Sequence, residues 1–126
     1  MMVWMITLKE EYCNAILEGR KGIVIRTRIP RTLVAGDTIM VCMEGSKGRV
    51  PFFFVVDCVV AFSPKALWTF NKHELAIAEK DYLEYTKGQS VVYALHINYV
   101  YRYDRLWTIS DFGVRKEPQW FTEVEV

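Results

Sequence analysis

The chain has 126 residues, the usual size of a domain built around one core, so we expect a single domain spanning residues 1–126. Apolar residues make up 52% of the sequence and aromatic residues 14%, which argues against intrinsic disorder and against a need for disulfides or a structural metal. Sixteen Lys and Arg stand against fifteen Asp and Glu, which leaves a net charge of +1. The molecule as a whole is therefore no polycation, and any anion site must be local.

Neither a membrane span nor a secretory signal is predicted. The longest apolar stretch, residues 50–62, contains Asp57 and is shorter than the roughly 20 residues of a membrane helix. Residues 1–8 are apolar but have no basic region before them and no small-residue cleavage site after them. We therefore expect a cytoplasmic protein. The three cysteines lack C-x-x-C spacing and nearby histidines, so we interpret them as core thiols.

The first half of the chain predicts one helix and three strands. Thr7 and Glu10 have capping-box spacing, and an apolar stripe over residues 8–18 ends at Gly19, which predicts a helix. Residues 23–29 alternate with a period of two and predict a strand. Further strands are predicted at 38–43 and 49–62, after a turn at 35–37, and they are expected to pair through a hairpin loop at 45–48.

The second half predicts a helical insertion followed by further strands. Ser63 and Pro64 are interpreted as the end of the long strand, and two short helices are expected, with Asn71 and Glu79 near their starts. The alternation over residues 89–103 predicts a strand. A loop or short helix is expected at 108–112 and a last strand at 120–126. This order indicates an α+β fold with a small, strongly curved sheet of five or six strands, for which closure into a small barrel is plausible.

One cluster of cations stands out in this otherwise balanced sequence. No acidic residue lies between Arg20 and Arg31, and the segment carries Lys21, Arg26 and Arg28 as well. Arg26 and Arg28 share a face of the predicted strand, and Lys21 lies at the turn before it, so the three could converge on a phosphate or a base edge. A solvated surface is the alternative interpretation. Acidic residues of the helical insertion could neutralise part of this cluster: Glu74, Glu79, Asp81 and Glu84.

Several aromatic residues lie near the ends of predicted elements, where they could line a cleft and stack on unpaired bases: Trp68, Tyr85, Trp107 and Trp120. Packing in the core is the alternative for each of them. The pair His73 and Glu74 lacks further ligands at metal spacing, and no serine or cysteine has the context of a nucleophile. We therefore expect no metal and no cofactor.

The sequence resembles the ASCH domain, the activating signal cointegrator homology group of the PUA-like superfamily. The resemblance begins with residues 7–21 and continues through Ile25, Arg26 and the turn at 35–37. The family signature is G-x-K-x-x-E-x-R, in which Gly19, Lys21 and Arg26 match and Val24 takes the place of the acid. Further landmarks follow in the family's order at residues 63–68, 82–85, 88, 92–97 and 118–121.

This resemblance implies a PUA-like barrel with a cleft that binds RNA or a modified nucleobase. Some relatives are hydrolases that deacylate N4-acetylcytidine with the motif lysine, a threonine at the position of Val24 and a glutamate. On that basis Lys21 and Glu74 would be catalytic here, although a capping role is the alternative for Glu74. Valine cannot attack a carbonyl or relay a proton, and Thr27 is expected to face the other side of the strand. Other family members are metal-assisted ribonucleases. Enzymatic activity is thus left open, and Val24 argues against it.

Three functions remain in competition. The leading one is an RNA- or nucleotide-binding module, in which Lys21, Arg26 and Arg28 contact phosphate or base edges and an aromatic residue among Trp68, Tyr85 and Trp120 stacks a base. The second is a hydrolase acting on a modified nucleoside or on RNA, with Lys21 as general base at a lowered pKa and Glu74 assisting. The third is a protein-interaction domain whose exposed aromatic residues form a partner surface.

Overall fold

The computed structural model describes residues 1–125. Its elements in chain order are β1 (Val3–Leu8), α1 (Glu10–Leu17), β2 (Ile23–Arg26), β3 (Thr38–Met43), β4 (Arg49–Phe62), α2 (Pro64–Leu75), α3 (Glu79–Thr86), β5 (Val92–Thr108), a short 3₁₀ helix (Ile109–Phe112) and β6 (Thr122–Glu123). The predicted last strand is shorter than expected, and Val126 lies outside the described residues. No helix within residues 1–125 is long and apolar enough to span a bilayer.

The six strands form one sheet in the order β2-β5-β4-β3-β1-β6, curled into a half-barrel, which confirms the α+β prediction. β1 and β3 pair in parallel, and the other neighbouring strands pair antiparallel. β2 and β6 are the two edges. The curl of the sheet brings β2 close to β1. As a result, the Arg26 side chain on β2 donates a hydrogen bond to the Thr7 carbonyl of β1 at 3.2 Å.

Apolar residues cover both faces of the sheet. One face packs against α1 through a cluster that includes Ile6, Ile16, Val24, Phe52 and Leu95. α2 and α3 pack on β2 and the start of β5 through a second cluster of buried side chains: Ile23, Ile25, Leu67, Leu75, Tyr82, Val92 and Ala94. Because both faces of β2 are covered, its position in the fold is fixed from two sides.

β1 was not predicted from the sequence. Residues 1–6 were considered only as part of a possible signal sequence, and residues 7 and 8 were assigned to the first helix. The apolar side chains of this segment show no alternation. The structure explains the missing period: Trp4, Met5 and Ile6 are all buried, since β1 lies inside the sheet with both faces covered.

Two predicted helix starts were wrong. α1 begins at Glu10 after an N-cap at Lys9, and no side chain caps it, so the capping box expected at Thr7 does not form because Thr7 belongs to β1. Ser63 does not merely end the long strand. Its hydroxyl accepts a hydrogen bond from the Ala66 amide, and Pro64 fills the first turn of α2. Asn71, the expected cap, therefore lies inside this helix.

Two further strands differ in length from the prediction. β2 ends at Arg26 rather than at residue 29, because Arg26 pairs with Tyr93 and the partner strand β5 begins at the next position, Val92. β5 continues to Thr108, well past residue 103, because it follows β4 back to its start, where Thr108 pairs with Arg49. The strands at 38–43 and 49–62 and their pairing are confirmed. Cys13 and Cys42 are buried as predicted, and Cys58 is half-buried.

Candidate functional site

A cavity of about 610 Å³ opens between α1, β2, α3 and the segment that precedes β6. Its charged lining residues are Lys9, Lys21, Arg26, Arg28, Glu44, Asp81 and Glu84. Aromatic lining comes from Tyr12, Tyr85 and Trp120, and Val24 adds an apolar patch. The structure thus brings together most of the cations that the sequence singled out, with aromatic side chains around them.

The end of α1 positions Lys21. Gly19 adopts φ +79°, and the amides of Gly19 and Arg20 bond to the carbonyls of Ile16 and Ala15 at 3.0 and 2.9 Å. This is a Schellman motif, which needs a left-handed residue and therefore favours glycine. The motif turns the chain sharply, so that Lys21 follows at once and enters the protein interior.

Lys21 is only 4% exposed, and its ammonium group is held by the C-terminal end of α2. Nζ donates to the Leu75 carbonyl at 2.6 Å, and the neighbouring Gly22 amide donates to the Glu74 carbonyl at 2.9 Å. Carbonyls at a helix C-terminus favour a cation. Burial, followed by repulsion from Arg26, nevertheless lowers the pKa of Lys21 to about 7. The Tyr12 ring lies 5.0 Å from Nζ.

Arg26 is the second cation at the base of the cavity, and it is partly buried. Its guanidinium donates to the Thr7 carbonyl at 3.2 Å and to the Ile25 carbonyl at 2.9 Å. Burial lowers its pKa, and the Tyr85 phenol opposes that shift. A guanidinium carries five N–H groups, so donors remain for a ligand after these two bonds.

Aromatic side chains lie at the cavity mouth. Tyr85 is 43% exposed and Trp120 is 39% exposed. Trp120 donates its indole N–H to the Arg28 carbonyl at 3.1 Å, and the Arg28 guanidinium lies 5.4 Å from the centre of its ring. This contact also joins the region after β2 to the region before β6. Trp120 therefore lines the cavity and also links the two edge regions of the half-barrel.

Three of the candidate residues predicted from the sequence lie outside the cavity lining: Trp68, Glu74 and Trp107. Trp107 packs against Phe112 with ring centres 5.7 Å apart. Trp68 packs against Tyr82 with ring centres 4.9 Å apart, outside the cavity lining. Glu74 is exposed near the end of α2, and its carboxylate accepts a hydrogen bond from Asn71 at 3.2 Å. It packs beside Gly22 but does not line the cavity, so it neither caps a helix start nor joins the cavity residues around Lys21.

The structure also adds residues that sequence reasoning did not assign to the site. Thr27 lines the cavity, contrary to the expectation that it faces away, because the strand ends at Arg26 and its alternation stops there. Tyr12 was interpreted only as part of the apolar stripe of α1, and Glu44 was not considered. Glu44 follows β3 and comes near the other lining residues only through the tertiary fold, so no local pattern could have identified it.

The arrangement offers hydrogen-bond donors at its base and aromatic faces at its mouth, which suits a planar ligand with an anionic or carbonyl group. Within residues 1–125 no group of three or more His, Cys, Asp or Glu side chains is placed to hold a metal ion. That the protein uses no metal and no cofactor is a prediction from the sequence, and the structure does not test it.

Comparison with known proteins gave matches among solved structures. No family model matches the sequence, and no curated protein matches it. The crystal structure of ASCH from Zymomonas mobilis superposes with a TM-score of 0.88 at 21% identity, covering 98% of this chain and 88% of that one. A tyrosine-to-phenylalanine variant of the same protein gives the same TM-score over 99% of this chain and 91% of that one. The chain has the ASCH fold.

A weaker structural similarity is also found. A hypothetical protein designated PH0355 matches with a TM-score of 0.57 at 23% identity, over 76% of this chain and 97% of that one. The resemblance noted in the sequence is thereby confirmed for the ASCH fold. At these identities the similarity establishes architecture, and the chemistry of the cavity must be argued from its own residues.

Proposed function

We propose that this chain is a nucleotide- or RNA-binding module and that the cavity is its binding site. The observation that carries the proposal is the presence of two cations, the buried Lys21 and the partly buried Arg26, at the base of an aromatic-lined cavity. Neither has a carboxylate partner within residues 1–125. Buried cations are costly unless an anion or strong acceptor completes their environment. A phosphate or the carbonyl edge of a base supplies that acceptor.

Each residue has a distinct part in this proposal. Lys21 keeps two N–H donors after its bond to Leu75, and Arg26 keeps three after its two backbone bonds. In this proposal both side chains donate to the same acceptor group of the ligand. Tyr85 and Trp120 stack on the base, and Arg28 contacts the ligand at the mouth. Trp68 is not part of this site because it packs on Tyr82.

The first test is binding of labelled single-stranded RNA, by fluorescence anisotropy, and of a panel of nucleosides and nucleotides, by calorimetry, at two salt concentrations. We expect binding that weakens as salt increases, with a shallow slope because few phosphates are neutralised. In the double variant Lys21→Ala/Arg26→Ala the affinity should fall about 100-fold or more, since two charge-assisted contacts of about 1.5–3 kcal/mol each are lost.

The matched control is Lys65→Ala/Lys72→Ala, which removes two exposed cations of α2 outside the cavity. It changes the net charge by the same amount and should leave the affinity nearly unchanged. Equal losses in both double variants would show that binding follows net charge and not the cavity. No binding of any probe would refute the proposal.

A second candidate, hydrolysis of a modified nucleoside, is favoured by one observation. The pKa of Lys21 is lowered to about 7, so a large fraction of its amine is free to accept a proton near neutral pH. Val24 supplies no hydroxyl, but Thr27 lines the same cavity. Glu74 lies outside that lining, so any assisting carboxylate would come from Glu44, Asp81 or Glu84.

If the chain is a hydrolase, product formation from an N4-acylated cytidine should fall by at least about 100-fold in Lys21→Arg, which keeps the charge and loses the titratable amine. Chromatography of the binding mixtures measures this directly. Lys72→Arg on the surface of α2 is the control and should retain full turnover. Ligands recovered intact from the wild-type protein would exclude this candidate and leave binding alone.

The protein-interaction alternative rests on aromatic residues on the outer face of β4 and β5. Phe53 stacks on Tyr101 with ring centres 5.3 Å apart, and Tyr103 lies beside both. Tyr99 and Tyr101 are each about half exposed. Aromatic residues of this kind are common in protein interfaces. The protein-interaction function is supported if the protein neither binds nor converts any nucleotide probe and if its molecular mass in solution depends on concentration.

A further inference from the structure

The charges of the cavity are divided between its base and its rim. At the base, Lys21 is 4% exposed and Arg26 is partly buried, and no carboxylate is ion-paired to either within residues 1–125. At the rim every charged lining residue is exposed: two cations, Lys9 and Arg28, and three carboxylates, Glu44, Asp81 and Glu84. Formal charges are therefore +2 at the base and −1 at the rim.

This division has different consequences for small and for long ligands. A ligand with one anionic end can place that end at the base, where burial strengthens its attraction to Lys21 and Arg26. A nucleic-acid strand continues beyond any one nucleotide, so its flanking phosphates must lie at the rim. There they meet Glu44, Asp81 and Glu84, and like charges brought together disfavour binding.

The size of the cavity agrees with binding of a small ligand. Its volume of about 610 Å³ falls within the range of about 300–1,000 Å³ that is usual for sites of small molecules and cofactors. The exposed aromatic residues Tyr85 and Trp120 line the same cavity as the rim carboxylates and offer faces on which a base could stack.

We propose that the cavity selects a single nucleotide over a nucleic-acid strand, with the phosphate at Lys21 and Arg26 and the base between Tyr85 and Trp120. The rim carboxylates Glu44, Asp81 and Glu84 are the specificity-determining residues, because they repel the phosphates that flank a nucleotide in a strand. This inference rests on the proposed function and narrows its ligand to a mononucleotide.

The test is isothermal titration calorimetry at one low ionic strength with four kinds of probe: the four nucleoside 5′-monophosphates, their nucleosides, inorganic phosphate and homopolymeric RNA decamers. We expect at least one monophosphate to bind about tenfold or more tightly than its nucleoside, than phosphate and than the decamer of the same base, a difference of about 1.4 kcal/mol. Low ionic strength is chosen because salt screens exposed charges.

The deciding variant is Glu44→Gln/Asp81→Asn/Glu84→Gln. It should raise the affinity for the decamer about tenfold or more while changing the affinity for the monophosphate much less. The control, Asp57→Asn/Glu79→Gln/Glu123→Gln, removes three exposed carboxylates that do not line the cavity. The single variant Glu84→Gln should show a smaller change in the same direction.

The outcomes separate this inference from the proposed function. If a decamer binds as tightly as its monophosphate, or if the two triple variants behave alike, selection by the rim is refuted while nucleotide binding stands. Phosphate binding as tightly as the monophosphate would also overturn the inference, because the base would then contribute nothing. If no probe binds, the proposed function itself fails.

Discussion

Raising the pH from 7 to 9.5 is expected to increase the free energy of unfolding by about 3 kcal/mol through Lys21 alone. Burial lowers the pKa of this amine to about 7 in the folded protein, from 10.5 for an unperturbed lysine. Between these values the unfolded chain binds more protons than the folded one, so stability rises with pH. Below pH 7 the amine is protonated in both states, and its contribution no longer changes with pH.

The variant Lys21→Met should lose most of this rise, because it removes the titrating group and keeps an unbranched side chain of similar length. At pH 7 it should be more stable than the wild type by about 1–3 kcal/mol, since relief of the buried charge outweighs loss of the bond to Leu75. Urea unfolding at several pH values between 6 and 9.5 measures both effects.

Lys72→Met is the matched control, because Lys72 is an exposed residue of α2. It should follow the pH dependence of the wild type. Parallel curves for the wild type and Lys21→Met would contradict a strongly lowered pKa for Lys21. If the variant is more stable but no longer binds ligand, Lys21 lowers the stability of the fold and is required for binding.

Asp37→Ala is expected to lower the free energy of unfolding by about 3–5 kcal/mol. The Asp37 carboxylate is fully buried and accepts three hydrogen bonds, from the amides of Met2 and Val34, both at 3.1 Å, and from the indole N–H of Trp4 at 3.2 Å. Alanine leaves these three donors without their acceptor, two of them on or next to β1. Chemical denaturation measures the loss.

Asp104→Ala supplies the comparison, since Asp104 is an exposed carboxylate on β5, and it should change stability by less than about 0.5 kcal/mol. Trp4→Phe removes one of the three donors and should cost less than Asp37→Ala. A loss below about 1 kcal/mol in Asp37→Ala would mean that water replaces the carboxylate and that β1 is anchored mainly by apolar packing.

Strands with strong local signals were predicted well. β3 and β4 match residues 38–43 and 49–62 because β-branched and aromatic side chains fill them and glycine-containing turns bound them. β1 was missed because its side chains are buried on both faces and show no period. Ser63 was interpreted as the end of a strand although it also caps α2, since the same dipeptide with Pro64 serves both purposes.

The candidate site likewise contains residues that local patterns predicted and residues that only the tertiary fold brings to it. Lys21 at the turn, and Arg26 and Arg28 on one strand face, were predicted to be able to converge, and all three line the cavity. Local structure carries this information, because a helix end and a short strand fix their positions. The turn at 35–37 was predicted, whereas the buried anchoring role of Asp37 depends on partners in distant segments. Glu44 and the contact of Trp120 with Arg28 are also tertiary, so local patterns carry no sign of them.

The bond between Trp120 and the Arg28 backbone joins positions 92 residues apart. α1, β2 and α3 all precede β5 in the chain, so during synthesis on the ribosome these cavity walls emerge well before Trp120 does. A nascent chain therefore displays its cation cluster without a complete pocket. The pocket is complete only when the segment carrying Trp120 has packed against Arg28, so its formation must follow the synthesis of residue 120.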